Sequence, residues 1–161
     1  MTPSRRIFGR AGLVLTMSLV AAVAGSSASA VASTTYTCAG KLATIVGTDG
    51  PDVIQGTAGD DVIVGLRGND TIYSNGGNDT ICGDEGNDSL VPNENSGTLL
   101  LYGGPGGDTL NSGPGRNSLL GGPGRDALYA FDQIDGNSVV NGGSGEDYCT
   151  ADPGDIVRNC P

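Results

Sequence analysis

The sequence predicts an all-β solenoid, a stack of short strands joined by tight turns, on three observations. Glycine returns every nine residues, one aliphatic side chain follows four residues later, and the intervening stretches are rich in Gly, Asn, Asp and Pro. One apolar residue in nine cannot line a helix, which needs three or four per two turns. It suits a short strand that points one side chain inward between polar or variable neighbours. Turn-forming residues ahead of each strand supply the reversals, and a fixed period along the chain marks a repeat architecture.

The 161 residues allow one ordinary domain plus a removable segment. Arg5, Arg6 and Arg10 form a basic start, residues 11–25 are apolar and uncharged, and Ala28-Ser29-Ala30 offers small side chains for a signal peptidase. Residues 1–30 are therefore expected to be a signal peptide, cleaved after Ala30, with Ala32 as an alternative. Fifteen apolar residues fall short of the roughly 20 that span a bilayer, so no membrane span is expected in the mature chain. Ser4-Arg5-Arg6-Ile7-Phe8-Gly9-Arg10 also resembles a twin-arginine export motif, and both export routes remain open. Residues 31–46 are expected to form an N-terminal cap and a first half-strand, because Ile45 lies nine residues before Ile54.

The repeats occupy residues 47–149. With the recurring glycine called position 4, the loop glycines are Gly50, Gly59, Gly68, Gly77, Gly86, Gly106, Gly115, Gly124 and Gly145, with Gly97 and Gly136 following insertions. The step lengthens to eleven before Gly97 and to twelve before Gly136, giving eleven repeats. Glycine at this place points to a backbone angle closed to other residues. Position 8 reads Ile54, Ile63, Ile72, Ile81, Leu90, Leu101, Leu110, Leu119, Leu128, Val140 and Cys149, aliphatic in all but the last.

Four cysteines, with no C-x-x-C pair, read as two disulfides with three possible connectivities. Cys149 and Cys160 flank the turn-forming Asp152-Pro153-Gly154-Asp155, which favours a Cys149–Cys160 bridge. Residues 150–161 would then be a disulfide-closed C-terminal cap. Cys38–Cys82 follows by elimination.

Charge narrows the function. All 18 acidic residues follow residue 30, against five of the eight basic ones, so the mature chain carries −13. Such a surface attracts cations and is a poor match for nucleic acid, whose backbone is bound by Lys and Arg. The absence of His removes the commonest acid–base side chain and any Ser-His-Asp triad. With neither G-x-S-x-G nor H-E-x-x-H present, no enzyme is expected. Asp132 and Asp135, in an inserted loop, read as solvated carboxylates.

Gly65-Leu66-Arg67-Gly68-Asn69-Asp70-Thr71-Ile72-Tyr73 and Gly121-Gly122-Pro123-Gly124-Arg125-Asp126-Ala127-Leu128-Tyr129 resemble the RTX, or haemolysin-type, calcium-binding nonapeptide, G-G-x-G-x-D-x-U-x. The resemblance covers roughly Gly47 to Cys149. It implies a right-handed parallel β-roll with two nonapeptides per turn, and Ca²⁺ held between turns by position-6 carboxylates and loop carbonyls. Two repeats per turn send alternate loops to opposite edges. One edge then carries Asp52, Asp70, Asp88, Asp108, Asp126 and Asp147 without a gap. The other carries Asp61 and Asp79, then Leu99, Asn117 and Ser138, and receives both insertions. Up to five ions are expected on the first edge and one on the second.

An all-oxygen donor set on flexible loops suits Ca²⁺ better than rigidly octahedral Mg²⁺. Carboxylates stacked at the ~4.8 Å strand spacing repel by roughly 3 kcal/mol per pair at an effective dielectric of 20. Folding is therefore expected to need the ion. The rival to a secreted calcium-binding protein is an extracellular adhesin that presents its outer face to a polymer or cell surface. Tyr73, Tyr102 and Tyr129 at position 9, and Thr71, Thr80 and Thr109 at position 7, would supply such a face.

Overall fold

The computed structural model describes residues 14–16, 33–93, 97–130 and 136–161. Of the expected signal segment only Val14–Thr16 (β1) is described, and it pairs antiparallel with Ser33–Thr35 (β2). The remainder of that segment, including Ala28-Ser29-Ala30, lies outside the described residues, as do Asp132 and Asp135. Among the described residues there is no helix, and so none long and apolar enough to cross a membrane.

A hairpin of Thr37–Cys38 (β3) and Lys41–Leu42 (β4) leads into the solenoid. One sheet stacks Ile45–Val46 (β5), Val62–Arg67 (β7), Thr80–Glu85 (β9), Leu100–Tyr102 (β11), Ser118–Pro123 (β13), Val139–Ser144 (β15) and Ile156–Arg158 (β17). The facing sheet stacks Val53–Gln55 (β6), Thr71–Tyr73 (β8), Ser89–Val91 (β10), Thr109–Asn111 (β12), Ala127–Ala130 (β14) and Tyr148–Ala151 (β16). Every neighbour within these two sheets is parallel, and the chain alternates between them, completing about six turns. This is the β-roll topology expected from two nonapeptides per turn.

Position 8 sets the register. Leu90 pairs with Ile72 on one side and Leu110 on the other, and Leu101 sits between Ile81 and Leu119. These side chains, from Ile54 to Val140, form one core cluster between the sheets, joined by Leu99 and Ala130 and flanked by Ile45, Cys149 and Cys160. The two insertions leave it undisturbed. Leu101 and Val140, the first position-8 residues after each, still pair with Ile81 and Leu119, so neither insertion slips a strand.

The C-terminal segment goes beyond the expected cap. Its β17 continues the seven-stranded sheet, with Ile156 beside Val139 and Val157 beside Val140, so Asp155 falls at position 6 of one more repeat. The step from Asp147 to Asp155 is eight residues instead of nine, which hides this repeat from a search at fixed period. Both expected disulfides are formed. Cys149–Cys160 lies against the last turns of the core, and Cys38–Cys82 ties the hairpin to β9.

The hairpin covers part of the outer face of the seven-stranded sheet. Cys38, Val64 and Cys82 form a second cluster there, packed by Tyr36, Ala43, Val62, Leu66 and Tyr102. Lys41 Nζ donates to Thr80 Oγ1 at 3.0 Å, and Thr80 is only 2% exposed. Tyr102 and Thr80 are thus covered, whereas Tyr129 and Tyr148 are exposed on the other sheet with ring centroids 6.0 Å apart.

Position-4 glycines stack on one another. A Cβ on Gly86, Gly106, Gly124 or Gly145 would collide with the carbonyl oxygen of the corresponding glycine one turn earlier, and φ at Gly106 is +148°. Gly50 begins the column and has only Thr48 Oγ1, at 4.0 Å, near the site of a Cβ. Gly106→Ala should therefore destabilise the fold by about 2 kcal/mol or more, and Gly50→Ala by less than about 1 kcal/mol. Denaturant unfolding in saturating calcium measures both.

Candidate metal centre

Each first-edge aspartate immediately precedes a strand of the six-stranded sheet, so strand register stacks the carboxylates. Backbone N–H groups hold them in place. The amides of Asp52, Asp70, Asp88, Asp108 and Asp126 each donate to Oδ1 of the aspartate one turn later, at 2.8–3.0 Å. A second ladder runs the opposite way at position 5. Asn69 Oδ1 accepts from the Asn87 amide, and Asn87 Oδ1 from the Gly107 amide, so each side chain caps the turn that follows it. Backbone donors between turns thereby find partners, as a buried main chain requires. This position-5 ladder was readable as a recurrence of Asn and Asp, but those residues also favour turns for local reasons.

The other carboxylate oxygen defines the site. Oδ2 of Asp70, Asp88, Asp108, Asp126 and Asp147 is buried without a hydrogen-bond partner. A buried charge left unpaired is strongly unfavourable, so five consecutive orphans call for a ligand. The space beside each is kept open by a position-1 glycine. At Gly65, Gly83, Gly103 and Gly121, a Cβ would meet both Oδ2 of the same loop's aspartate and the position-1 carbonyl oxygen of the next turn. An acidic oxygen and a carbonyl oxygen thus converge on a hollow that any larger residue would fill. The position-1 glycines Gly47, Gly65, Gly83, Gly103, Gly121 and Gly142 are unbroken along this edge; the sequence signal was their coincidence with the aspartate edge alone, Gly56 excepted.

Asp52 and Asp61, the first aspartate on each edge, differ from the rest. Oδ2 of Asp52 accepts from the Thr48 amide at 2.6 Å and hydroxyl at 2.9 Å. Asp61 does the same with Thr57, at 2.7 and 2.9 Å. Their second oxygens are already satisfied by protein. Threonine at position 2 occurs only in these first two repeats and was the available signal.

The second edge provides its own substitutes for a cation. Asp79 Oδ2 is orphaned, but beyond it Leu99 is fully buried in the core. Asn117 Nδ2 donates to the carbonyls of Gly113, Pro114 and Gly115 at 3.1, 3.4 and 3.1 Å. This amide puts a positive N–H pole among carbonyl oxygens. Asp155 accepts from the Asn137, Ser138 and Asp152 amides.

Burial dominates the carboxyl chemistry. It pushes the pKa of Asp79 and Asp88 up to about 6 and that of Asp108 up to about 7. The amide donors oppose the rise and neighbouring carboxylates add to it; Asp70 and Asp126 shift in the same direction, again chiefly from burial. Among the described residues no three His, Cys, Asp or Glu side chains converge on one point. A cation here must therefore draw on main-chain oxygens as well, a donor set suited to Ca²⁺.

The two edges make this protein a β-solenoid with an unbroken column of aspartates along one side. A family model of the RTX calcium-binding nonapeptide repeat matches residues 44–65, 55–90, 102–130 and 135–155. The chain belongs to that family and is a calcium-binding β-roll. A comparison with curated proteins found no match.

Two outcomes follow. Asp88→Asn and Asp108→Asn should each lower calcium stoichiometry in calorimetry, whereas Asn117→Ala should leave it unchanged. In chelator, the raised carboxyl pKa values mean that the folded chain keeps protons which the unfolded chain releases between about pH 4 and pH 7. Stability of the metal-free roll should fall as pH rises through that window and return on acidification. Thermal melts in chelator at pH 5 and pH 7.5 check the sign; a higher midpoint at pH 7.5 would contradict it.

Proposed function

We propose that the protein is a secreted, non-catalytic calcium-binding module whose roll is folded or stabilised by the ions. Five consecutive buried, partnerless carboxylate oxygens on one edge carry this reading. Asp70, Asp88, Asp108, Asp126 and Asp147 would hold up to five ions with loop carbonyls, and Asp79 one more on the second edge. A bound cation supplies the charge that each orphaned oxygen lacks, and its binding free energy becomes folding free energy. The core contributes little beyond one side chain per strand, which supports dependence on metal. Sites of this extracellular class bind in the range of about 10⁻⁴–10⁻³ M.

Two disulfides support an oxidising compartment, and the acidic surface suits a calcium-rich one. A second reading, attachment to an extracellular polymer or cell surface, is favoured by the exposed Tyr129–Tyr148 pair on the six-stranded sheet. Aromatic faces serve sugar and protein contacts alike.

Calcium titration followed by circular dichroism and calorimetry tests the main reading. β-Structure should appear at millimolar calcium and be lost on chelation. A chelated protein that stays compact and protease-resistant at neutral pH would overturn it.

A further inference from the structure

Asp147, the last aspartate of the first-edge column, resembles the interior ones. Asp147 is 7% exposed and its Oδ2 is buried without a partner. A Cβ on Gly142 would meet that oxygen at 2.5 Å, and also a carbonyl oxygen from the next turn. In the interior that carbonyl comes from a position-1 glycine. Here it comes from Asn159, which lies one residue beyond β17 and beyond the last residue matched by the repeat family.

Register explains the substitution. Asn141 pairs with Arg158, so Asn159 stacks on Gly142 and stands where position 1 would fall after the additional repeat. A side chain is tolerated there because, among the described residues, β17 is the edge strand of its sheet and no turn packs beyond it. Asn159 is held from three directions. Its Nδ2 donates to Asn141 Oδ1 at 2.8 Å, its φ of +48° is one that asparagine accepts readily, and the following residue, Cys160, is bonded to Cys149.

We propose that this C-terminal segment supplies the closing carbonyl of the fifth first-edge calcium site through Asn159, and that the Cys149–Cys160 bridge holds it there. Occupancy of this one site then depends on the disulfide, whereas the four before it do not. The inference rests on the calcium-binding reading above and adds a ligand from outside the repeat. A three-residue strand at the end of a solenoid has neighbours on one side only and frays readily; the covalent link removes that freedom.

Calorimetric calcium titration of the full disulfide-bonded chain and four variants tests it. Cys149→Ser/Cys160→Ser should bind one ion fewer than wild type. Asp147→Asn should lose the same ion, and combining it with the cysteine changes should lose no further one. Asn159→Val keeps the bridge but places a β-branched residue at a left-handed backbone angle, and should also lose one ion. An unchanged count in the cysteine variant overturns the proposal. If that variant gains no β-structure in calcium, Asn159→Val decides, and an unchanged count there overturns it. A wild-type chain that binds no calcium overturns the calcium reading itself, and this inference with it.

Discussion

Stacking identical turns at the strand spacing places like next to like, and that constraint governs the whole molecule. For the core it is favourable: Ile72, Leu90 and Leu110 meet their own kind and bury completely. For glycine it is a steric demand, since along the acidic edge each position-4 backbone after Gly50 sits against the carbonyl of the turn before. For aspartate it is a liability, because carboxylates are drawn out of water and set beside one another. Hydrogen bonds from the turn below satisfy Oδ1 and fix the column but leave Oδ2 facing carbonyls. Burial and repulsion both favour neutralising that oxygen, either by a proton or by a cation. At neutral pH only the cation leaves the column fully charged and intact.

Much of this was legible in the sequence because solenoid periodicity turns a three-dimensional column into a linear spacing. Counting nine from Gly50 located the core and both sheets, and counting eighteen separated the acidic edge from its degenerate partner. What escaped were features set by the ends and by local hydrogen bonding. Thr48 and Thr57 look like ordinary turn residues, and only coordinates show their hydroxyls and amides closing on Asp52 and Asp61. Asp155 escaped because one residue is missing from its repeat, and a strict period cannot forgive that. Tyr102 and Thr80 followed the outward parity expected of positions 9 and 7, but parity says nothing about what covers a face. The Cys38 hairpin does so here.

The second edge shows how a repeat can dispense with metal. Leu99 replaces a carboxylate with core volume, and Asn117 keeps the shape of aspartate while exchanging one oxygen for an N–H donor. That donor reaches three carbonyls, doing with a dipole what the opposite edge leaves to an ion. Both insertions also fall on this side, where a loop need not preserve carbonyl geometry for a ligand. Beyond Asp79 this edge lacks both the unbroken aspartates and the unbroken position-1 glycines of the other.

The two sheets share a core only one side chain deep from each, so a turn cannot loosen at its acidic edge without disturbing position 8 in both sheets. Each hollow is also built across two turns, taking its carboxylate from one and its carbonyl from the next. Filling one site therefore orders the turn that must supply the next carboxylate, the nearest-neighbour coupling characteristic of solenoids. Order that starts at the hairpin-anchored end, where Asp52 and Asp61 are satisfied by threonine and Cys82 is tied to Cys38, can spread toward the C-terminus one ion at a time. At that far end the carbonyl facing Gly142 is that of Asn159, next to the covalently held Cys160.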